Sequence, residues 1–187
     1  MTQRGKISKE RIIEMANRLF YTKGYNQTSF ADVADGVGIT KGNLHYHFNS
    51  KEDLLTAVIA YREDLIISGL AQWESEFPDA KARLKRFVQM LRNEADDITR
   101  FGCPIGSLNV ELGKCQTELQ TRTRELFDLY RNWLEQVFRQ LGKKKYQSLS
   151  QHLLSMAQGA AVMSYVYADT TLLKNECRKI DDWIDAL

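Results

Sequence analysis

Apolar residues recur at helical spacing along the whole chain, and only two prolines, Pro78 and Pro104, interrupt them. A proline inside a helix removes a backbone donor and clashes with the preceding turn, so its near absence permits long helices almost everywhere. No segment shows the strict apolar–polar alternation of a half-buried strand. The pattern predicts an all-α fold of about nine helices.

Start and stop signals divide the run. Ile12, Ala16, Leu19 and Phe20 share one face of a first helix, with Ser8 as its candidate cap and Gly24 as its stop. Thr28 or Ser29 caps a short second helix. Asp32 stands three residues after Ser29, as a capping box requires, and Phe30, Val33 and Ala34 face inward. Gly36 to Gly38 read as a tight turn, after which Thr40 caps a third helix, KGNLHYHF, ending near Asn49. Ser50 and Asp53 repeat the capping-box spacing and open a long helix from Lys51 to Phe77, ended by Pro78. At 1.5 Å per residue it spans roughly 40 Å. Gly69 inside it costs about 1 kcal/mol relative to alanine and is a candidate bend. Further helices are expected over residues 79–100, 105–113, 117–141, from Lys143–Lys145 to Tyr167, and over 171–186, with a break at FGCPIG.

Hydrophobic residues make up 43% of the 187, enough for a packed core and against disorder. The net charge of +2 is unevenly spread: residues 1–50 carry seven Lys/Arg against four Asp/Glu. A modestly basic head on a near-neutral body points weakly toward phosphate contact. Three scattered cysteines, Cys103, Cys115 and Cys177, argue for a reducing compartment over a disulfide framework. With no apolar leader and no run of 18 apolar residues, the chain is expected in the cytoplasm, with no membrane partner.

Residues 28–51, TSFADVADGVGITKGNLHYHFNSK, carry the strongest functional signal. Two helices this short must lean on the helices before and after them, which is the physical form of a helix-turn-helix. Gly38 falls where the turn needs a positive φ, and Ala34 and Ile39 supply the packing side. The third helix then offers Thr40, Lys41, Asn43, His45, Tyr46 and His47, all able to hydrogen-bond, while Phe48 reads as core. Gly42 lets the backbone come close to a base edge or a phosphate. Exposed N–H groups at the helix starts near Thr28, Thr40 and Lys51 are natural anchors for phosphate oxygens. His45 and His47 point apart on a helix and have no third ligand nearby, so neither a metal nor a cofactor is expected.

The stretch GYNQTSFADVADGVGITKGNLHYHFNSKEDLL, Gly24 to Leu55, resembles the tetracycline-repressor (TetR/AcrR) family of bacterial regulators. The resemblance rests on Gly24-Tyr25, Thr28-Ser29, Val33-Ala34, Gly38, Lys41-Gly42, Tyr46-His47-Phe48 and Lys51, and extends back to Ile7. It implies a three-helix DNA-binding head over residues 1–55, with the motif at 29–48, and a helical ligand-binding and dimerisation region over 56–187. It also implies the roles. Thr28, with Ser29 beside it, meets phosphate at the start of the second helix. Lys41, Gly42, Asn43 and Tyr46 approach bases and backbone, with Thr40 at the cap, and His47 and Lys51 hold flanking phosphates. His45 departs from the tyrosine common in the family, which puts its phosphate contact in doubt. Gly36 and Val37 also replace commoner residues, with little consequence expected for the operator.

Beyond Leu70 the resemblance is architectural. It implies a homodimer on double-stranded DNA bearing a palindromic operator, and a pocket for a small hydrophobic effector. Ser155, Gly159, Ala160 and Ala161, with Met163, Tyr165 and Tyr167 beside them, suit close helix approach in such a dimer. Candidate pocket walls are Trp73, Phe77, Phe87, Met90, Leu91, Phe101, Leu108 and Trp133. Cys103, between Gly102 and Pro104 at a helix start, is a further candidate. The leading reading is a repressor released from DNA by its effector. Two alternatives stay open: a DNA-binding regulator without an effector, and a thiol-based sensor of oxidants or electrophiles acting through Cys103, with Cys115 as a possible partner. An all-α enzyme is disfavoured, because no nucleophile–base pair is visible and His152 stands alone.

Overall fold

A computed structural model describes residues 9–114 and 117–187, so the candidate cap Ser8 and Cys115 lie outside the described residues. Ten helices follow one another there: α1 (Lys9–Thr22), α2 (Phe30–Val37), α3 (Lys41–His47), α4 (Lys51–Glu76), α5 (Ala80–Asn93), α6 (Ala95–Phe101), α7 (Pro104–Leu112), α8 (Thr117–Gln140), α9 (Tyr146–Tyr167) and α10 (Thr170–Asp185). No strand occurs among the described residues. None of these helices is long and apolar enough to cross a membrane.

The elements form where local chemistry asks for them. Ser29, Thr40, Ser50, Asp79 and Asp169 each cap a helix start with a side-chain oxygen that accepts a backbone N–H. At Ser29 the capping box is complete, because Asp32 also accepts from the Ser29 amide at 2.7 Å. Ser50 accepts from the Asp53 amide at 3.0 Å. α4 joins the two ends of the molecule. Its head end buries Leu54, Leu55, Val58 and Ile59 against α1, and its far end buries Ile66, Leu70 and Trp73 beside α8. It runs unbroken through Gly69, and the boundary expected between residues 55 and 56 falls inside it.

One long helix was expected over residues 79–100, and two are found. The backbone leaves the helical region at Glu94 (φ −98°, ψ 10°), so α5 and α6 meet at an angle that one straight helix cannot make. The break serves packing. α5 turns Leu84, Phe87, Val88 and Leu91 toward α8 and α10, while α6 redirects Ile98 and Thr99 onto α9. The hydroxyls of Thr99 and Ser164 meet there at 2.6 Å. Lys143–Lys145 form the turn before α9 instead of its first turn, because Gly142 at φ 73° reverses the chain after α8.

Candidate nucleic-acid interface and body cavity

α2 and α3 have eight and seven residues, too few to persist alone, so their geometry comes from caps and burial. Gly38 takes φ 77°, and its amide together with that of Ile39 closes the end of α2 on Asp35 O and Ala34 O. A Cβ there would meet no neighbour, so the requirement is conformational and not steric. Gly36, expected in the turn, lies within α2, where a Cβ would come within 2.8 Å of the Met15 sulfur on α1. Its small size permits that close approach. Leu44, fully enclosed, pins α3 to the head, and Phe48, extended at φ −140°, ends the helix with its ring buried.

Most of the remaining α3 side chains face outward. Lys41, Gly42, Asn43, His45 and Tyr46 are exposed, and Tyr46 keeps 83% of its surface. His47 is half-buried, its ring edge-on to Tyr46 at 5.2 Å, and the His45 ring rests on Phe30 at 4.9 Å. Thr40 accepts from the Asn43 amide at 3.2 Å. The surface therefore presents one cation, an amide, two imidazoles and a phenol on a single short helix. That inventory suits base edges and phosphates.

Two expected phosphate contacts are turned inward. Thr28 is buried, and its hydroxyl donates to Gly24 O at 2.8 Å, which holds the loop between α1 and α2. Lys51 donates to the carbonyls of Tyr25 and Thr28, both at 3.1 Å, with its ammonium over the Tyr25 ring. Ser29 stays exposed while capping α2. The hydrogen bonds from the Ser29 amide and hydroxyl, with Lys23 beside them, hold the Asp32 carboxyl well below its ordinary range.

The same loop is tied to the body by residues the sequence reading passed over. Glu111 of α7 accepts from the amides of Tyr25 at 3.0 Å and Asn26 at 2.7 Å, and the Tyr21 phenol donates to Gly102 O at 2.9 Å. Arg62 of α4 joins three elements at once. Its Nε donates to Asn17 Oδ1 of α1 at 2.6 Å, and its Nη1 donates to Pro104 O at the start of α7 at 2.7 Å.

Beside these ties a cavity of about 330 Å³ opens between α1 of the head and the helices of the body, in the range of small-molecule sites. Of the expected walls, Phe87, Met90, Leu91 and Cys103 line it. The other five do not. Trp73 and Trp133 pack edge to face at 5.7 Å in the core, with the Arg86 guanidinium over Trp73. Phe77 lies at the end of α4 beyond the cavity, Phe101 packs edge-on against Tyr21 at 5.5 Å, and Leu108 is buried on α7. On α4 the cavity opens beside Arg62 and Ile66, three and two turns before Trp73. Tyr130, Phe127, Leu154 and Gln158 complete the wall. One signal was readable: Arg62 interrupts the buried stripe Leu54, Val58, Ile66 and Leu70, a position that ordinarily holds an apolar residue. The Cys103 sulfur caps α7 and accepts from the Gly106 amide at 3.4 Å and the Gln158 side chain at 3.5 Å. Among the described residues, no group of three or more His, Cys, Asp or Glu is placed to hold a metal ion.

A helix-turn-helix head carried on a long helix above a helical body defines a DNA-binding transcriptional regulator. Residues 12–58 match the model of the bacterial regulatory proteins of the tetR family. Residues 80–178 match that of the LmrA/YxaF-like transcriptional regulators' C-terminal domain. The chain belongs to the tetR family, whose members are regulators and not enzymes. It is 27% identical over 180 residues to the HTH-type transcriptional regulator YxaF of Bacillus subtilis, covering 92% of each chain. A second relative, the HTH-type regulator in the lacX 3' region of Lactococcus lactis, is 28% identical over 177 residues, covering 90% of this chain and 88% of that one. The crystal structure of a TetR transcriptional regulator from Legionella pneumophila superposes with a TM-score of 0.85 at 28% identity, covering 96% of this chain and 98% of that one.

Proposed function

We propose that the chain is a cytoplasmic repressor that grips a palindromic operator as a homodimer and is released by a small molecule bound in the body cavity. The observation that carries the DNA contact is the outward face of α3, where Lys41, Asn43 and Tyr46 stand free of the protein while Leu44 anchors the helix. One helix of seven residues reaches too few base pairs for useful specificity. Two of them, spaced about 34–36 Å or a multiple apart, double the contacts. The division expected at residues 55/56 is functional in this reading, with α4 acting as the arm shared by both parts.

The dimer face is best supported on α9. Ser155, Gly159, Val162, Met163 and Val166 are exposed along one stripe of that helix, and a Cβ on Gly159 would meet nothing within the chain. Ala160 and Ala161, expected at the same face, are buried inside the subunit and bring α9 close to its own neighbours. The apolar stripe suits a two-fold partner that supplies the same stripe.

The ties around the cavity supply the coupling. Arg62, Tyr21 and Glu111 link α1 and its following loop to α4 and to the residues around α7. A ligand that moves α7 or α4 therefore moves α1, and with it α3. It shifts DNA binding only by its differential affinity for the two arrangements. The test is fluorescence anisotropy on duplex DNA at several salt concentrations. Lys41→Ala should weaken binding to all sequences and reduce the slope of log K against log salt by about one. An unchanged slope removes Lys41 from the interface.

A further inference from the structure

We infer that the cavity takes an amphiphilic organic anion, its carboxylate paired with Arg62 and its apolar body lying against Phe87, Leu91 and Leu154. The inference rests on the effector reading above and names the chemistry of the ligand.

Arg62 is 93% removed from solvent, with a relative exposure of 7%. A guanidinium taken out of water is normally matched by a carboxylate, because desolvating an unpaired charge is costly. Here the two hydrogen bonds made by Arg62 go to neutral acceptors, the Asn17 amide oxygen and the Pro104 carbonyl. Among the described residues no Asp or Glu forms an ion pair with it. The Nη2 amino group makes no hydrogen bond there either, yet it is not sealed off, and Arg62 lines the cavity.

The groups facing Arg62 do not supply a negative charge. Burial pushes the Tyr21 phenol far above its ordinary value, so it stays protonated. Glu94 also lines the cavity, but its carboxyl is raised by burial and by Asp97, and the cation acting on it is Arg86, not Arg62. Burial draws the Arg62 guanidinium itself down to about 10, which still leaves it charged at neutral pH. One wall of the chamber thus holds a buried guanidinium that has no ion-pair partner among the described residues and whose Nη2 makes no hydrogen bond. A carboxylate answers it through charge-assisted hydrogen bonds to the planar fork. A neutral ligand leaves the charge unpaired, and an amine adds a second one.

The same placement gives the ligand leverage. Arg62 holds Asn17 on α1 and Pro104 on α7, so an anion that draws the guanidinium into the cavity pulls on the ties that orient the head.

The test titrates the full-length chain by calorimetry with decanoate, decanol and decylammonium, three probes that share one apolar body. Decanoate should bind at least about tenfold more tightly than decanol, with decylammonium weakest. Arg62→Gln should bring decanoate to the level that decanol shows on the same variant, while Arg62→Lys keeps part of the preference. If Arg62→Gln does not fold, the ranking of the three probes on the unmodified chain decides by itself. Equal affinity for acid and alcohol, or tightest binding of the amine, overturns the anion inference and leaves the cavity as a ligand site. Binding of none of the three overturns the anion inference and the effector reading together.

Discussion

The head and the body bury their residues to different ends. In the head, α1, α2 and α3 close over Ile12, Ala16, Val33, Ala34 and Leu44, all at most 1% exposed, and the outward face of α3 is left polar and unpacked. In the body, three long helices, α4, α8 and α9, have ample surface to seal a core, yet a cavity of about 330 Å³ stays open with a guanidinium in its wall. A close-packed interior holds few voids larger than a water molecule, so an opening of this size departs from the packing seen in the head. Close packing thus surrounds the helix that faces outward, and open space lies beside the longest helices of the body.

The largest expected effect breaks the head. Leu44→Ala removes the only fully buried side chain of α3 and should cost about 2–5 kcal/mol by denaturant unfolding. A loss well under 1 kcal/mol would mean that α3 is not held by burial. Tyr46→Ala tests the opposite face. Duplex affinity should drop about tenfold to a hundredfold, the scale of a base contact of about 1–3 kcal/mol, with stability unchanged within about 0.5 kcal/mol.

A matched pair of substitutions sharpens the contrast between close packing and kept space. Ala34 and Ala157 are both 1% exposed, but only Ala157 lines the cavity. Overpacking by Ala34→Leu should destabilise by about 1–3 kcal/mol. Ala157→Leu should cost less than about 1 kcal/mol in the same unfolding measurement, because its new atoms enter empty space. Equal costs would contradict an open chamber.

Acid gives the smallest change. The Asp32 carboxyl is depressed in the folded chain by its hydrogen bonds to Ser29 and by Lys23, so its stabilisation is present above the ordinary carboxylate range, near pH 4, and fades as pH falls below it. Thermal scans should show that decline in the unmodified chain, and a shallower one in Asp32→Asn.

The head was largely legible because its determinants are local. Ser29 with Asp32, Gly38, Thr40 and Ser50 each announce a cap or a turn within four residues, and each does that work in the folded chain. Inward and outward were harder to separate. Thr28 and Lys51 look like surface donors in sequence, yet both are drawn to loop carbonyls that only the tertiary fold supplies. In the body, aromatic side chains at helical spacing did not separate cavity walls from solid core. Trp73 and Trp133 fill each other's space, whereas Tyr130 and Phe127, two turns or less away on α8, face the opening. The break at Glu94 left no glycine or proline to signal it, because α9 and α10 impose it by offering burial to Ile98 and Thr99.

If α3 reads duplex DNA from a two-fold assembly, the full-length chain should select one symmetric sequence. Repeated selection from a pool of random-sequence duplexes by the full-length chain tests it directly. One palindrome should be enriched, with half-site centres about one helical turn, or a multiple of it, apart. Asn43→Ala combined with Tyr46→Ala should abolish that enrichment while the variant chain remains folded. Recovery of no common sequence by the unmodified chain, or of the same palindrome by the double variant, would contradict it.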